Sequence, residues 1–411
     1  MSYRDFTRVR TVAWKDKEDV MRADRDRRSI LMDARVNAVP GGQGLARWVL
    51  KMIEHMGPLQ DGLALRVLVN RSRPQLFPLA GASERAELID TDIVLPTSAS
   101  GGREMRSREL GRLIHDLDAA VFYSPYPLFA PRICPCPLVM TIHDCIFESG
   151  SAKDAGGWHM RFLLKAVTAA RLRQAAAVVT PSRASLAEIR RHYPAAPRPT
   201  VIPCGLDDGQ FTGVTDDAVK AVRERYDLPE RFILAVGTHR RHKNHGILVR
   251  ALALMPPTVS LVIVGYCEPE FRDPLERQIP DLGLQARVRL LPAVPDEDLP
   301  AVYRAASVFA FPSLVEGYGI PPLEAMSAGV PVVASAIPVV EEVHGSAAML
   351  VPPHDATAWA TAIMSVLDDP ATASHMVVKG TAAATAATWH RSAQALRELL
   401  LSVIEGSGSV N

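Results

Sequence analysis

Apolar, β-branched runs recur along the chain, and a stretch of helical periodicity follows almost every one. The first series is SILMDAR (29–35), ALRVLVN (64–70), AAVFYS (119–124), PLVMTIHD (137–144) and AAVVTPS (176–182). The second is RFILAVGT (231–238), VSLVIVGY (259–266), RVRLLPAV (287–294), SVFAFPS (307–313), GVPVVAS (329–335) and AAMLVP (347–352). Strands that are apolar on both faces and alternate with helices of about 10–15 residues mark parallel sheets built from βαβ units. The pattern restarts near residue 231, which predicts an α/β chain of two doubly wound, Rossmann-like domains. The turn-rich stretch PCGLDDGQFTGVTDD, from Pro203 to Asp217, joins them. The expected organisation is a charged extension (1–28), an N-terminal domain (29–205), a C-terminal domain (206–388) and a final helix (389–411) in WHRSAQALRELLLSVIEG. Two such sheets face each other across a cleft. Ligands of open α/β sheets bind at the carboxyl ends of the strands, so the chemistry is expected in the loops that follow them.

Composition narrows the function. The 411 residues are 48% hydrophobic, enough for two ordinary cores, and 46 basic against 45 acidic side chains leave a net charge of +1. No basic field for nucleic acid follows from that balance. The five cysteines, Cys134, Cys136, Cys145, Cys204 and Cys267, are few and odd in number. Cys134-Pro-Cys136 lacks zinc-ribbon spacing, so they read as reduced thiols of a cytoplasmic protein. No apolar run reaches the ~18 residues of a membrane span. The N-terminal segment is charged throughout and lacks the apolar stretch of a secretory signal.

The stretch EGYGIPPLEAM, Glu316 to Met326, places two carboxylates around a glycine turn, directly after a buried strand. Pro321 and Pro322 suit the first turn of a helix, where the missing N–H had no partner, and Gly329 can close it. Glu316, Gly317, Tyr318, Gly319 and Ile320 then sit at a helix N-terminus whose free N–H groups suit a diphosphate, and the glycines allow close approach. Glu324 is expected in the first helical turn and Glu316 on the other side. Both would repel phosphate, so they suit the neutral hydroxyls at either end of a sugar nucleotide. Taken singly, each glutamate is equally an ordinary group: one complements a helix dipole, the other is solvated.

Glu316-(seven residues)-Glu324, within PSLVEGYGIPPLEAMSAGVPVVAS, resembles the EX7E signature of the retaining glycosyltransferases of GT-B fold, family four. VIPCGLDD, FILAVGTHRRHKNHGILVRAL, LPAVPDEDLPAVYRAASVFAFPS and AAMLVPPHD resemble further segments of that family. The resemblance is specific from about residue 200 to 360 and consistent, though weaker, over 29–200. It implies that Glu316 contacts the transferred sugar, that Glu324 holds the ribose, and that N–H groups around Tyr318, Gly319 and Ile320 hold the distal phosphate. Lys243, in THRRHKNH, matches the lysine that neutralises the departing diphosphate. Two positions depart from the pattern. Thr238 and His242 stand where relatives often carry arginines, which makes Arg240 and Arg241 the candidates for the missing charge.

In the N-terminal domain, Gly41, Gly42 and Gly44 could admit donor or acceptor, or form a plain strand-to-helix turn. His143 and Asp144, at the end of TIHD, match a family position near the donor sugar; the resemblance implies that His143 bonds the sugar or orients the leaving group and that Asp144 contacts the acceptor, while taken singly each is equally a capping group at a strand end. WHRSAQAL resembles the family's closing segment, which implies that the final helix crosses back onto the N-terminal domain; by its own pattern it is equally an ordinary helix of the C-terminal domain. Asp90-Thr91-Asp92 has the form of the metal triplet of another glycosyltransferase fold. It lacks the surrounding signature and reads as a solvated turn, and no other cluster suggests a metal.

The implied function is retaining, metal-independent transfer of a hexose from a nucleotide diphosphate sugar, by a front-face mechanism and with no cofactor. The resemblance favours GDP-mannose as donor and a saccharide or lipid-linked saccharide of surface polysaccharide synthesis as acceptor. Peripheral attachment at the inner face of the membrane is compatible with that. A catalytically silent sugar-nucleotide sensor on the same fold is the alternative. A two-domain dinucleotide oxidoreductase would need G-x-G-x-x-G directly after a strand, which GGQG does not supply.

Overall fold

The computed structural model describes residues 28–408 except 39–42, 60–62, 71, 73–74, 76–77, 94, 96–102, 147, 149–157, 208, 267–268 and 293. The N-terminal extension and Gly41, Gly42 and Cys267 lie outside the described residues.

Seven strands form the first sheet: β1 (Arg28–Asp33), β2 (Leu63–Val69), β3 (Glu87–Asp90), β4 (Ala119–Ser124), β5 (Leu138–Thr141), β6 (Ala175–Thr180) and β7 (Thr200–Val201). Six form the second: β8 (Phe232–Val236), β9 (Ser260–Val264), β10 (Val288–Leu291), β11 (Val308–Phe311), β12 (Val332–Ser335) and β13 (Met349–Val351). Their orders are β3-β2-β1-β4-β5-β6-β7 and β10-β9-β8-β11-β12-β13. Neighbouring strands pair in parallel, as at Met32 with Val67 and at Leu234 with Val262. Both sheets thus reverse strand order once, between β1 and β4 and between β8 and β11, and each reversal opens a crevice at the carboxyl ends.

The central strands are apolar on both faces because helices cover both. Ile30, Met32 and Val67 point to one core with the Gln43–His55 helix, while Leu31, Leu68 and Phe122 point to another. The second sheet divides likewise, with Phe232 and Leu234 on one side and Ile233 and Ala235 on the other. The expected return of the last helix is observed. Trp389–Gly408 buries Trp389, Ala393, Leu396 and Leu400 in the first domain's core. The chain therefore crosses between the domains twice. The crossings touch where Leu206 N–H donates to Ala387 O at 2.9 Å and Leu206 bridges to Thr388.

β3 and β7 were not foreseen. Asp90 ends β3, paired with Val69, and is not part of a solvated turn. It lies at the edge of the first sheet.

Candidate active site

Three loops meet between the domains. The first follows β8 and runs from Gly237 through a 3₁₀ turn at Arg241–Lys243 to the His245–Leu252 helix. The second follows β11 and leads through Glu316–Gly319 into the Ile320–Ser327 helix. They flank the second sheet's reversal point and are tied by Leu314 N–H donating to His242 O at 2.7 Å. The third follows β5 and carries His143 and Asp144 from the opposite domain.

The Ile320–Ser327 helix starts as the sequence predicts. Gly319 precedes it at φ +93°, in the left-handed region that glycine tolerates, and Pro321 stands in its first turn. Gly329, at φ +74°, follows its end, and Val330 N–H returns to Ala325 O at 2.9 Å. Glu324 falls one turn further in than expected. It is the fifth helical residue and is 3% exposed. Tyr303 OH donates to its Oε2 at 2.7 Å and Arg47 Nη1 to its Oε1 at 2.7 Å. Arg47 belongs to the Gln43–His55 helix of the first domain, so this carboxylate is bonded across the domain boundary.

Lys243 Nζ donates to Glu316 Oε1 at 2.6 Å. Burial pushes the Glu316 carboxyl up, but the Lys243 and His242 charges outweigh it and hold the carboxyl below its ordinary range. Two residues that the sequence singles out separately are thus in direct contact between the first and second loops. Thr238 and Arg240 lie half-buried in the first of them.

His143 and Asp144 face this pair. Burial lowers the His143 imidazole to about 4, against a hydrogen bond to the Pro125 backbone, and its Nε2 has no partner. Its ring meets Trp48 edge-on, with centroids 5.3 Å apart. Burial raises the Asp144 carboxyl to about 6, aided by the Glu316 and Glu148 charges and opposed by Lys243 and an Ile146 N–H. Gly317 is a point of close approach: a Cβ there would lie 2.2 Å from His143 O. Tyr318 and Ile320 pack against the cores of both domains.

The first sheet's own reversal point is filled differently. A buried pair, Arg35 Nη2 to Asp33 Oδ2 at 2.7 Å, closes the end of β1. Gly44 lies inside the Gln43–His55 helix, with open space where its side chain would be.

Sequence reading missed Arg47, Tyr303, Ser182, Ser185 and Glu342. Only Ser182 carries a local signal, as the residue before a helix; the others reach the site from far along the chain. Among the described residues no group of three or more His, Cys, Asp or Glu side chains is placed to hold a metal ion.

The family model "Glycosyltransferase Family 4" matches residues 43–210 and "Glycosyl transferases group 1" matches 220–382. O-antigen chain mannosyltransferase B of Escherichia coli is 36% identical over 174 residues, covering 41% of this chain and 45% of that protein. D-inositol 3-phosphate glycosyltransferase of Corynebacterium kroppenstedtii is 35% identical over 227 residues, 51% of this chain and 49% of that protein. The chain thus spans about half the length of these curated relatives. Sucrose-phosphate synthase from Thermosynechococcus elongatus superposes with a TM-score of 0.75 at 22% identity, over 92% of this chain and all (100%) of that one. Anabaena HepE, in complex with UDP and glucose, does so with a TM-score of 0.72 at 21% identity, over 91% and 100%. Matched by one family model in each half, and sharing its fold with these structures, the chain belongs to the family-four, group 1 glycosyltransferases of GT-B fold.

Proposed function

We propose that the protein transfers a hexose from a nucleotide diphosphate sugar to a saccharide or lipid-linked saccharide, with retention and without a metal, in surface polysaccharide synthesis. The observation that carries this reading is the pair of loops at the second sheet's reversal point. They set Glu316 and Glu324 on either side of a glycine turn at a helix N-terminus, with Lys243 against Glu316. Diphosphate oxygens would take the N–H groups of Tyr318, Gly319 and Ile320. Lys243 would be shared between Glu316 and the charge that grows as the diphosphate leaves. Glu324, oriented by Tyr303, would accept from ribose hydroxyls. On the opposite wall, neutral His143 would bond the sugar through Nε2, and Asp144 would meet the acceptor hydroxyl. As the sugar–phosphate bond breaks and the acceptor oxygen bonds the same carbon, the acceptor's proton passes to the leaving phosphate on the same face.

The mannosyltransferase relative supports GDP-mannose as donor; the UDP-bound neighbour makes a UDP-sugar the second reading. Peripheral attachment at the inner membrane face is supported by the Trp158–Gln174 helix. It carries Arg161, Lys165, Arg171 and Arg173 without an acidic residue and exposes Phe162 and Leu163. No helix among the described residues is long and apolar enough to cross a membrane.

Thermal shift with UDP, GDP and ADP selects the base, and donor hydrolysis and transfer with the matching sugars then test the activity. Transfer is expected to persist in EDTA. Glu316→Ala and Glu324→Ala are each expected to lower it on the order of 10²–10³-fold while the chain stays folded. Binding without any turnover would favour a silent sensor. Wild-type turnover by either variant would overturn the site.

A further inference from the structure

The Arg183–His192 helix begins against the other domain. Ser182 caps it in the usual way, its Oγ accepting from Ser185 N–H at 3.0 Å. The same hydroxyl donates to Gly317 O of the second domain at 2.9 Å. Ser185 Oγ lies 3.1 Å from Gly317 O and 3.2 Å from His143 O, so its single proton is shared between the two walls of the site. The next two N–H groups, which have no partner inside a helix, also go across. Arg183 N–H donates to Glu342 Oε1 at 2.8 Å and Ala184 N–H to Oε2 at 2.7 Å. Glu342 belongs to the Pro338–His344 helix of the second domain. One helix start thus receives a carboxylate, which its dipole favours, and a backbone carbonyl from the opposite domain.

From this arrangement we infer that Ser182, Ser185 and Glu342 form a closure latch and are positioning residues for the transfer. Resting on the function proposed above, the latch fixes the Gly317–Gly319 turn against His143. The N–H groups meant for the diphosphate and the side chains meant for the sugar then stand in one register. The two hydroxyls are buried, whereas Glu342 is exposed, which gives the latch a salt-sensitive half and a salt-insensitive half.

The test uses the full chain as wild type, Glu342→Gln, Ser185→Ala and the double variant Ser185→Ala/Glu342→Ala. Small-angle X-ray scattering, with and without UDP or GDP, reads closure. The double variant is expected to show a larger radius of gyration than wild type. Between about 0.1 M and about 1 M salt, where the Debye length falls from about 10 to about 3 Å, wild type is expected to loosen and Glu342→Gln to respond less. With a competent donor, the double variant is expected to lose on the order of 10² in kcat, the cost of a small misplacement. Its donor KM is expected to move less than about threefold, because the nucleotide is held by the second domain. A merely structural role would leave kcat unchanged in the folded variants. Unchanged scattering, or unchanged kcat in the double variant, overturns the latch. If wild type transfers from no sugar nucleotide, that counts against the proposed function, and scattering alone decides the latch. Glu342→Gln changes a surface group and keeps the test open if the double variant does not fold.

Discussion

Gly317 leaves no room for a side chain, yet its φ is not in the left-handed region; what forbids a Cβ is the His143 carbonyl of the other domain. Gly317→Ala is therefore expected to leave each domain folded and to keep them apart. Transfer is expected to fall at least about tenfold while nucleotide diphosphate binding changes little. Equal activity in the alanine variant would show that closure is not required. Lys243→Ala acts differently. A ligand at about a hundred times its dissociation constant stabilises by roughly 2.7 kcal/mol, a melting shift of several degrees. The variant is expected to lose most of the shift given by the correct nucleoside diphosphate and none of that given by the nucleoside. A full shift in Lys243→Ala, with loss in Arg240→Ala, would move the charge along the loop. Lys243, Glu316, Glu324 and Gly317 were legible because one glycine turn and one basic loop each hold their signal within a dozen residues. Arg47 was not, because it meets Glu324 across 277 positions of chain and no spacing records that.

At the scale of elements, the strands that the hydrophobic pattern revealed are those covered by helices on both faces. The two it concealed, ELID and TV, are the outermost strands of the first sheet. An edge strand can be short and polar, since only one neighbour pairs with it; these two leave no apolar run to read, whereas the outer strands of the second sheet, in RVRLLPAV and AAMLVP, keep one. Helices and strand ends also carry buried histidines that bear on stability. Burial holds His344 near about 4, opposed by the nearby Tyr318 and Gly319 backbone and the Glu316 charge, and His143 near about 4; it holds His245 near about 3, helped by the His239, Lys243 and His242 charges. Their ordinary value is about 6.5, so the unfolded chain takes up these protons first as pH falls. Each lowers stability by about 1.4 kcal/mol per pH unit between that value and its folded one. Asp144, raised to about 6, opposes them over part of that window because its folded form binds the proton first. The net expectation is a loss of about 3 kcal/mol per unit around pH 5. Denaturation midpoints between pH 7 and about 4.5 check it, and a flat profile would show that these rings are not held neutral.

In the whole molecule, the last helix belongs in sequence to one domain and in packing to the other. Trp389 is 2% exposed and meets Trp48 edge-on, with centroids 6.0 Å apart. Trp389→Ala is expected to cost about 3–5 kcal/mol. The loss belongs to the first domain, although the residue lies near the chain's other end. Limited proteolysis is expected to cut the N-terminal half first, while the nucleotide-dependent thermal transition of the second domain persists. Loss of both together would mean that the domains unfold as one unit. Two domains and a cleft were legible from the restart of the strand pattern. Their closed arrangement was not, because it is written in contacts between side chains that the sequence keeps far apart.

The two crossings lie side by side, and a Cβ on Gly205 would stand 2.1 Å from Trp389 N. Chains that pass between two bodies at one edge make a door with one pin, and what such a door can do is swing. Sliding would tear Leu206 from Ala387; rotation about their shared line disturbs neither. The motion that opens the site then has a single lever arm, and displacement grows with distance from the pin. A methyl group at position 205 would act as a wedge in the jamb. The contacts farthest from that pin would feel it most.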